Sequence, residues 1–360
     1  MWVDSEKGQA FVPDDLSVDA LRHLPDTEFP EFFEKLEQLK AVLEGHENLS
    51  IFYQALFQRE AQTFSPRLSG SKVGSLAYVN RPFIPFQIFD CVEALHFAQA
   101  AQFAWETRRK PYSMRFLKEV HARLLPLHRH AGTFRRTALW IGQRESVTPD
   151  GAVIVVTPPE YIESCLTALA AFGDTVPASH RIAACAMIHF QLVAIHPFVD
   201  GNGRLARAAL PALLRHYGLV DAPLLFISRT LLDRRWSYDS RIESVEKFGE
   251  LNAWIRFFAR ALSSQLEQAA AFVELVARVR KDLKDIVGGS ASEARVGRFV
   301  DDVLLSSSFR LSHAAAALGM DADRAERMLS SIRGRYGLEK SAGGGDPLYQ
   351  FGDIYQILAL

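Results

Sequence analysis

One run, residues 196–207, holds most of the chemistry legible in this chain: His-Pro-Phe-Val-Asp-Gly-Asn-Gly-Arg-Leu-Ala-Arg. An apolar segment leads into His196. Pro197 disfavours helical geometry in the residue before it, so a helix beginning near Ser179 is expected to stop there. Gly201-Asn202-Gly203 reads as a tight loop that exposes main-chain amides, and a second helix is expected from Arg204 to Tyr217, closed by Gly218. Arg204 and Arg207 then share a face of its first turn, beside the positive end of the helix dipole, where cations are disfavoured. A polyphosphate seated on those amides resolves the conflict. Asp200, just ahead of the amides, suits Mg2+ shared with phosphates. His196 has the one side chain whose ordinary pKa lies near neutrality, fit to take a proton from an incoming nucleophile.

The run resembles the signature of the Fic family: a His, a Phe two residues on, Asp or Glu, Gly-Asn-Gly-Arg and a further Arg, each matched here. The likeness extends to Gly132-Thr-Phe-Arg135, to Trp140-Ile-Gly142 followed by Val155-Val-Thr-Pro-Pro159, and to Pro223-Leu-Leu-Phe-Ile-Ser228. The resemblance implies Mg2+-dependent transfer of AMP from ATP to a Ser, Thr or Tyr hydroxyl of a target protein. In that role His196 deprotonates the hydroxyl and Asp200 holds Mg2+. Gly201, Asn202 and Gly203 supply donors, Arg204 and Arg207 clamp the leaving phosphates, and Phe198 anchors the loop in the core. Trp236-Ser-Tyr238 lies where relatives often carry a Tyr-Tyr pair near the base, so Tyr238 is a candidate for packing on adenine. The same site shape serves transfer of UMP, phosphate or phosphocholine, and these residues do not choose among them. A nucleotide-binding regulator that reaches DNA through residues 290–360 is the alternative from another class.

Many Fic proteins place an inhibitory helix ahead of the core, approximately Ser-Ser-x-Ile-Glu-Gly-Thr, whose Glu pairs with the second motif arginine. The corresponding stretch here is Ser65-Pro-Arg-Leu-Ser-Gly-Ser71, so Ser69 stands at the Glu position, and a serine does not neutralise Arg207. The domain is therefore expected to lack that self-inhibition, and also the Glu that some relatives use to remove AMP. Glu60 and Glu93 stay open as alternative acids. Two roles stay open for Arg135: orienting acidic groups beside the site, as the resemblance implies, or a surface arginine.

The elements that must position these residues read as mainly α: a Fic-type helical core with one β-hairpin flap, plus a small C-terminal winged-helix-like domain. Residues 1–45 are expected to be an N-terminal arm and first helix, 46–278 the catalytic domain and 279–360 the winged-helix-like domain. Residues 138–157 change period and read as the hairpin, with a turn at Thr148-Pro-Asp-Gly151. The resemblance makes it a flap that registers a target segment by strand addition. His189 reads as a packed core histidine. Glu250–Arg278 reads as a helix with one apolar stripe, either core or a homodimer face. In the third C-terminal helix, Arg324, Arg327, Arg333 and Arg335 offer contacts to DNA phosphates. Yet residues 281–360 hold ten Lys/Arg against eleven Asp/Glu, without the basic excess of a strong nucleic-acid binder.

Across its 360 residues the chain has 41 Lys+Arg against 42 Asp+Glu, which excludes a polybasic or acidic tail protein. No apolar run approaches the roughly 18 residues of a membrane span, and the first residues lack a signal-peptide pattern, so a cytoplasmic chain is expected. Cys91, Cys165 and Cys185 are odd in number and far apart, with no disulfide frame or zinc spacing legible.

Overall fold

The computed structural model describes residues 1–5, 8–45, 53, 60, 85–142, 152–233, 235–287, 292–306, 308–332, 338–340 and 345–351, and the chain is mainly α-helical. In order come β1 (Trp2–Ser5), β2 (Gly8–Phe11), α1 (Pro30–Glu44), α2 (Pro85–Glu106), α3 (Met114–Leu124), β3 (Trp140–Gly142), β4 (Ala152–Val155), α4 (Ile162–Thr175), α5 (Arg181–Ile195) and α6 (Asn202–His216). There follow α7 (Ser228–Asp233), α8 (Arg235–Phe248), α9 (Leu251–Val287), α10 (Glu293–Ser306), β5 (Ser308–Arg310), α11 (Leu311–Leu318), α12 (Ala322–Ile332), β6 (Leu338–Lys340) and β7 (Leu348–Phe351). Two compact units result, Met1–Leu36 with His96–Leu266, and Glu37–Leu95 with Glu267–Leu360.

In the first unit, α5 is apolar on every side, and a helix of that composition belongs in the interior. Every residue from Ile182 to Leu192 is buried. The neighbours α4 and α6 pack against α5, and α3 packs against α6. Trp254 of α9 is fully buried and donates its indole N–H to the Ala186 carbonyl of α5 at 2.8 Å. The N-terminus of α5 is capped from far away in sequence. Asp26, 7% exposed, accepts the Ile182 amide at 3.1 Å and pairs with Arg181 at 2.8 Å, while its own amide bonds the Ser179 carbonyl. His180, the local cap position, makes no side-chain capping bond to the helix.

Strands β1 and β2 lie within the expected N-terminal arm: they pair antiparallel, Trp2 opposite Phe11, and join the flap strands in one sheet of order β1-β2-β4-β3. The expected flap hairpin is present as β3 and β4, with Trp140 opposite Val155, and its turn at 148–151 falls outside the described residues. Because β2 runs parallel to β4 through Ala10 and Val155, β3 is an edge strand of the described sheet. The N-terminal pairing was illegible because each strand is four residues long and the segment lacks an Asn-Gly or Asp-Gly turn dipeptide.

In the second unit, α10, α11 and α12 accompany an antiparallel sheet of order β5-β7-β6. Arg280 makes a two-pronged bridge to Asp301 at 2.7 and 3.0 Å, and Phe309 lies between Phe299 and Tyr349. Arg324 and Arg327 are exposed, while Arg333 and Arg335 lie outside the described residues, as does Ser65–Ser71 with Ser69. Of the alternative acids, Glu60 is buried and Glu93 exposed. Among the described residues no helix is long and apolar enough to cross a membrane.

The Asp26 cap generates a stability prediction. Asp26→Ala leaves the Ile182 amide and the Arg181 guanidinium without this partner and should cost about 1–3 kcal/mol, read from urea unfolding.

Candidate active site

The end of α5 sets the site. The helix stops at Ile195, as the proline predicts, and His196 adopts the left-handed conformation (φ 51°, ψ 58°) as its C-cap. Among the described residues it is the one non-glycine residue with positive φ, a strain of order 1–3 kcal/mol that surrounding contacts must hold. The imidazole is fixed by Nδ1, 3.0 Å from the Val193 carbonyl. A carbonyl only accepts, so Nδ1 carries the proton and Nε2 keeps its lone pair. Burial pushes the His196 pKa down to about 4, with the Arg135 charge acting in the same direction and the Val193 bond opposing. At neutral pH the ring is therefore an unprotonated base.

Arg135 holds the carbonyls at this helix end. It is 3% exposed, and its guanidinium donates to His196 O at 2.7 Å, Ile195 O at 3.3 Å, Thr137 O at 3.0 Å and the carbonyl of Thr157. Its own amide donates to Pro197 O at 2.9 Å. The expectation of a surface arginine is thus corrected: Arg135 is buried beside His196, and its guanidinium serves main-chain oxygens at the negative end of a helix dipole, with Glu160 near enough to act on its charge. Burial lowers its pKa to about 10, which still leaves it charged.

The loop after His196 is closed by Asn202, whose side chain accepts the Phe198 amide at 2.9 Å and donates to the Phe198 carbonyl at 2.8 Å. Asn202 is 2% exposed. Its side chain is spent on the loop, so what it offers an anion is its main-chain N–H. Phe198 is fully buried, as expected, and stacks on His121 with ring centroids 3.8 Å apart. His121 escaped the sequence reading; its one signal was a histidine on the apolar face of α3. Its Nδ1 accepts the Gly132 amide at 2.9 Å, so Nε2 carries the proton and donates to the Asp200 carbonyl at 3.0 Å. Burial, the dominant effect, lowers its pKa and favours this neutral form.

Helix α6 begins at Asn202, two residues earlier than expected, because Gly201 takes φ 79° and becomes the N-cap. Asn202 and Gly203 therefore belong to the first turn, whose amides have no partner within the helix. The backbone of Gly203 lies close to the Arg207 guanidinium, a Cβ there falling 3.4 Å from Nη1. Asp200 keeps its side chain 61% exposed while bonding the Gly201 amide and, at 3.0 Å, Arg204. Tyr238 is half-buried, its hydroxyl 3.2 Å from Nε2 of His189 and its ring edge-on to Trp254. Burial raises the Tyr238 pKa to about 12, with the Arg207 charge acting in the opposite direction. His189 is a core histidine, as expected, held neutral by burial with a pKa of about 3.

A base at a helix end, a carboxylate, a tight Gly-Asn-Gly turn and two arginines on one helical face now stand together, and the Fic/DOC family model matches residues 111–214. This chain carries a Fic/DOC family domain. Outside the family model, the protein adenylyltransferase Fic of Nematostella vectensis is 30% identical over 157 residues, covering 41% of this chain and 32% of that protein. The protein of the same name from Aedes aegypti is 28% identical over 159 residues, covering 43% of this chain and 28% of its own. The chain spans less than a third of the length of these relatives. The crystal structure of a Fic family protein from Desulfovibrio desulfuricans G20 superposes with a TM-score of 0.53 at 16% identity, covering 89% of this chain and 96% of that one, which shows a shared fold.

Two measurements test the geometry of the Fic domain. Asn202→Ala should remove the exchange protection of the Phe198 amide and cost about 1–3 kcal/mol, read by hydrogen exchange and urea unfolding. The His196 ring resonances, assigned by their loss in His196→Ala, should titrate near 4 instead of 6.5. An unfolded chain takes up that proton first, so His196 leaves stability flat above 6.5 and lowers it as pH falls towards 4.

Proposed function

We propose that this protein transfers AMP from ATP to a Ser, Thr or Tyr hydroxyl of a target protein. The observation that carries this reading is the tautomer of His196: a neutral ring at the mouth of a helix-N-terminal amide cradle, its Nε2 lone pair kept by the Nδ1 bond to Val193. The adenylyltransferase relatives support the donor. Nε2 takes the proton of the target hydroxyl, whose oxygen attacks the α-phosphorus of ATP while pyrophosphate leaves. The first-turn amides of α6 and the two arginines stabilise the oxygens on which charge grows. Tyr238 is assigned to the border of the nucleotide's base.

Magnesium fits the residues present. Among the described residues there is no cluster of three or more His, Cys, Asp or Glu side chains that would cage an ion by itself. A solitary exposed carboxylate beside a phosphate site is what Mg2+ uses, since phosphate oxygens and water complete its shell. Asp200 would hold it, and the ion would supply neutralisation of phosphate charge.

The target is assigned to the flap, residues 138–157, as an added strand. With β2 on one side of β4, the edge of β3 is where such a strand pairs. We assign catalysis to residues 46–278 and a recognition or dimerisation role to residues 279–360, whose ten Lys/Arg against eleven Asp/Glu argue against a DNA-dominated role. With Ser69 at the position of the inhibitory Glu, the enzyme is unbraked, and it works in the cytoplasm.

The deciding experiment incubates wild type and His196→Ala with Mg2+ and ATP, with and without a cell lysate, and reads intact mass. Wild type should gain one AMP on itself or on a lysate protein, with the gain reduced a hundredfold or more, roughly, in the variant. Labelling by UTP or CDP-choline instead of ATP would move the reading to those donors, and no covalent label with any of them would overturn it.

A further inference from the structure

We propose that Arg135 is the positioning residue for the base: one guanidinium holds the main chain of His196 in the geometry its ring requires and ties it to the exit of the flap. The inference rests on His196 being the base, and it assigns Arg135 a role in the reaction beyond stabilising the fold.

The argument is one of converging oxygens. Ile195 O and His196 O end a buried helix and have no further helical turn to receive them, because Pro197 brings no N–H and does not extend α5. Nε of Arg135 takes His196 O at 2.7 Å and Nη2 takes Ile195 O at 3.3 Å. Nη2 also serves the carbonyl of Thr157, two residues past β4, and Nη1 the carbonyl of Thr137, three residues before β3. Both ends of the flap hairpin and the peptide of the catalytic histidine thus share one rigid, planar group. Thr157 reinforces the junction, its hydroxyl 3.1 Å from Phe11 O and 3.4 Å from Ala194 O. His196 sits in a conformation that a histidine leaves readily, and its Nδ1 bond to Val193 exists only while that conformation lasts. Lysine would keep the charge at the helix end but not the fork that reaches three segments at once. The structure therefore separates geometry from charge: what His196 needs from Arg135 is the fork.

The test uses the full chain, isotope-labelled, as wild type, Arg135→Lys and Arg135→Gln. Ring nitrogen shifts of His196 at neutral pH should show the Nδ1–H tautomer in wild type and a mixture of tautomers in both variants, with circular dichroism unchanged. In Mg2+ and ATP, kcat for AMP transfer should fall on the order of a hundredfold while the ATP dissociation constant changes less than about twofold. Wild-type tautomer and kcat in Arg135→Lys would overturn the proposal, as would loss of ATP affinity in step with kcat. If neither variant folds, the wild type decides: Arg135 guanidinium protons exchanging as fast as those of a free side chain would overturn it, and slow exchange supports it. The tautomer readout needs no donor, so absence of AMP transfer by wild type counts against the proposed function and leaves this inference to the spectra.

Discussion

Everything in the site follows from how the last peptide of α5 is held. A helix buried on nearly every side must end somewhere, and ending it in the interior leaves carbonyls that water does not reach. Proline closes off the ordinary solution, a further turn. The chain answers with a buried arginine, whose desolvation is offset by four main-chain oxygens and by the negative end of the helix dipole. That arrangement stabilises a strained histidine, and the strained histidine points Nδ1 at a carbonyl. Chemistry at Nε2 is the consequence of a helix-termination problem.

A second layer of support comes from polar groups spent wholly on main chain. Asn202 closes the loop on Phe198, Phe198 lies flat on His121, and His121 bridges Gly132 to the Asp200 carbonyl. Each is buried, and each has both of its hydrogen-bonding functions filled, which is what makes a polar group in the interior stabilising instead of costly. Charges on the loop behave oppositely. Asp200 faces solvent, and its main-chain oxygen, not its carboxylate, is the part that the core fixes. The loop's backbone is thus held by buried partners, while the Asp200 carboxylate bonds the Gly201 amide and Arg204 near the surface.

The sequence disclosed the motif and its two helices because helix ends carry strong local marks: Pro197 behind His196, Gly201 before α6 and Gly218 after it. What it could not disclose were contacts between residues far apart in the chain. Arg135 reaches across 61 positions to His196, and Asp26 across 156 to Ile182, with nothing in either neighbourhood to announce the partner. His121 looked like one more residue on an apolar face. The hairpin of β1 and β2 is similar, since its strands are short and its sheet partner β4 lies about 145 residues on. Local punctuation is legible; caps borrowed from distant segments are not.

Magnitudes also explain why two arginines stand where a helix dipole disfavours them. The link between Asp200 and Arg204 spans one turn, with the carboxylate 61% and the guanidinium 19% exposed, and such pairs contribute about 0–1 kcal/mol. It is too weak to be the reason for Arg204 and weak enough to be exchanged. A phosphate accepting the same guanidinium together with the first-turn amides gains charge-assisted bonds in a fixed fork, about twice as strong as neutral ones. On the proposed function, that exchange would free the carboxylate for Mg2+. The buried contacts around Asn202 and His121 are made to main-chain groups and do not involve that ion pair. On the proposed function, phosphate binding would compete with that ion pair, while the His196 tautomer rests on a separate bond to the Val193 carbonyl.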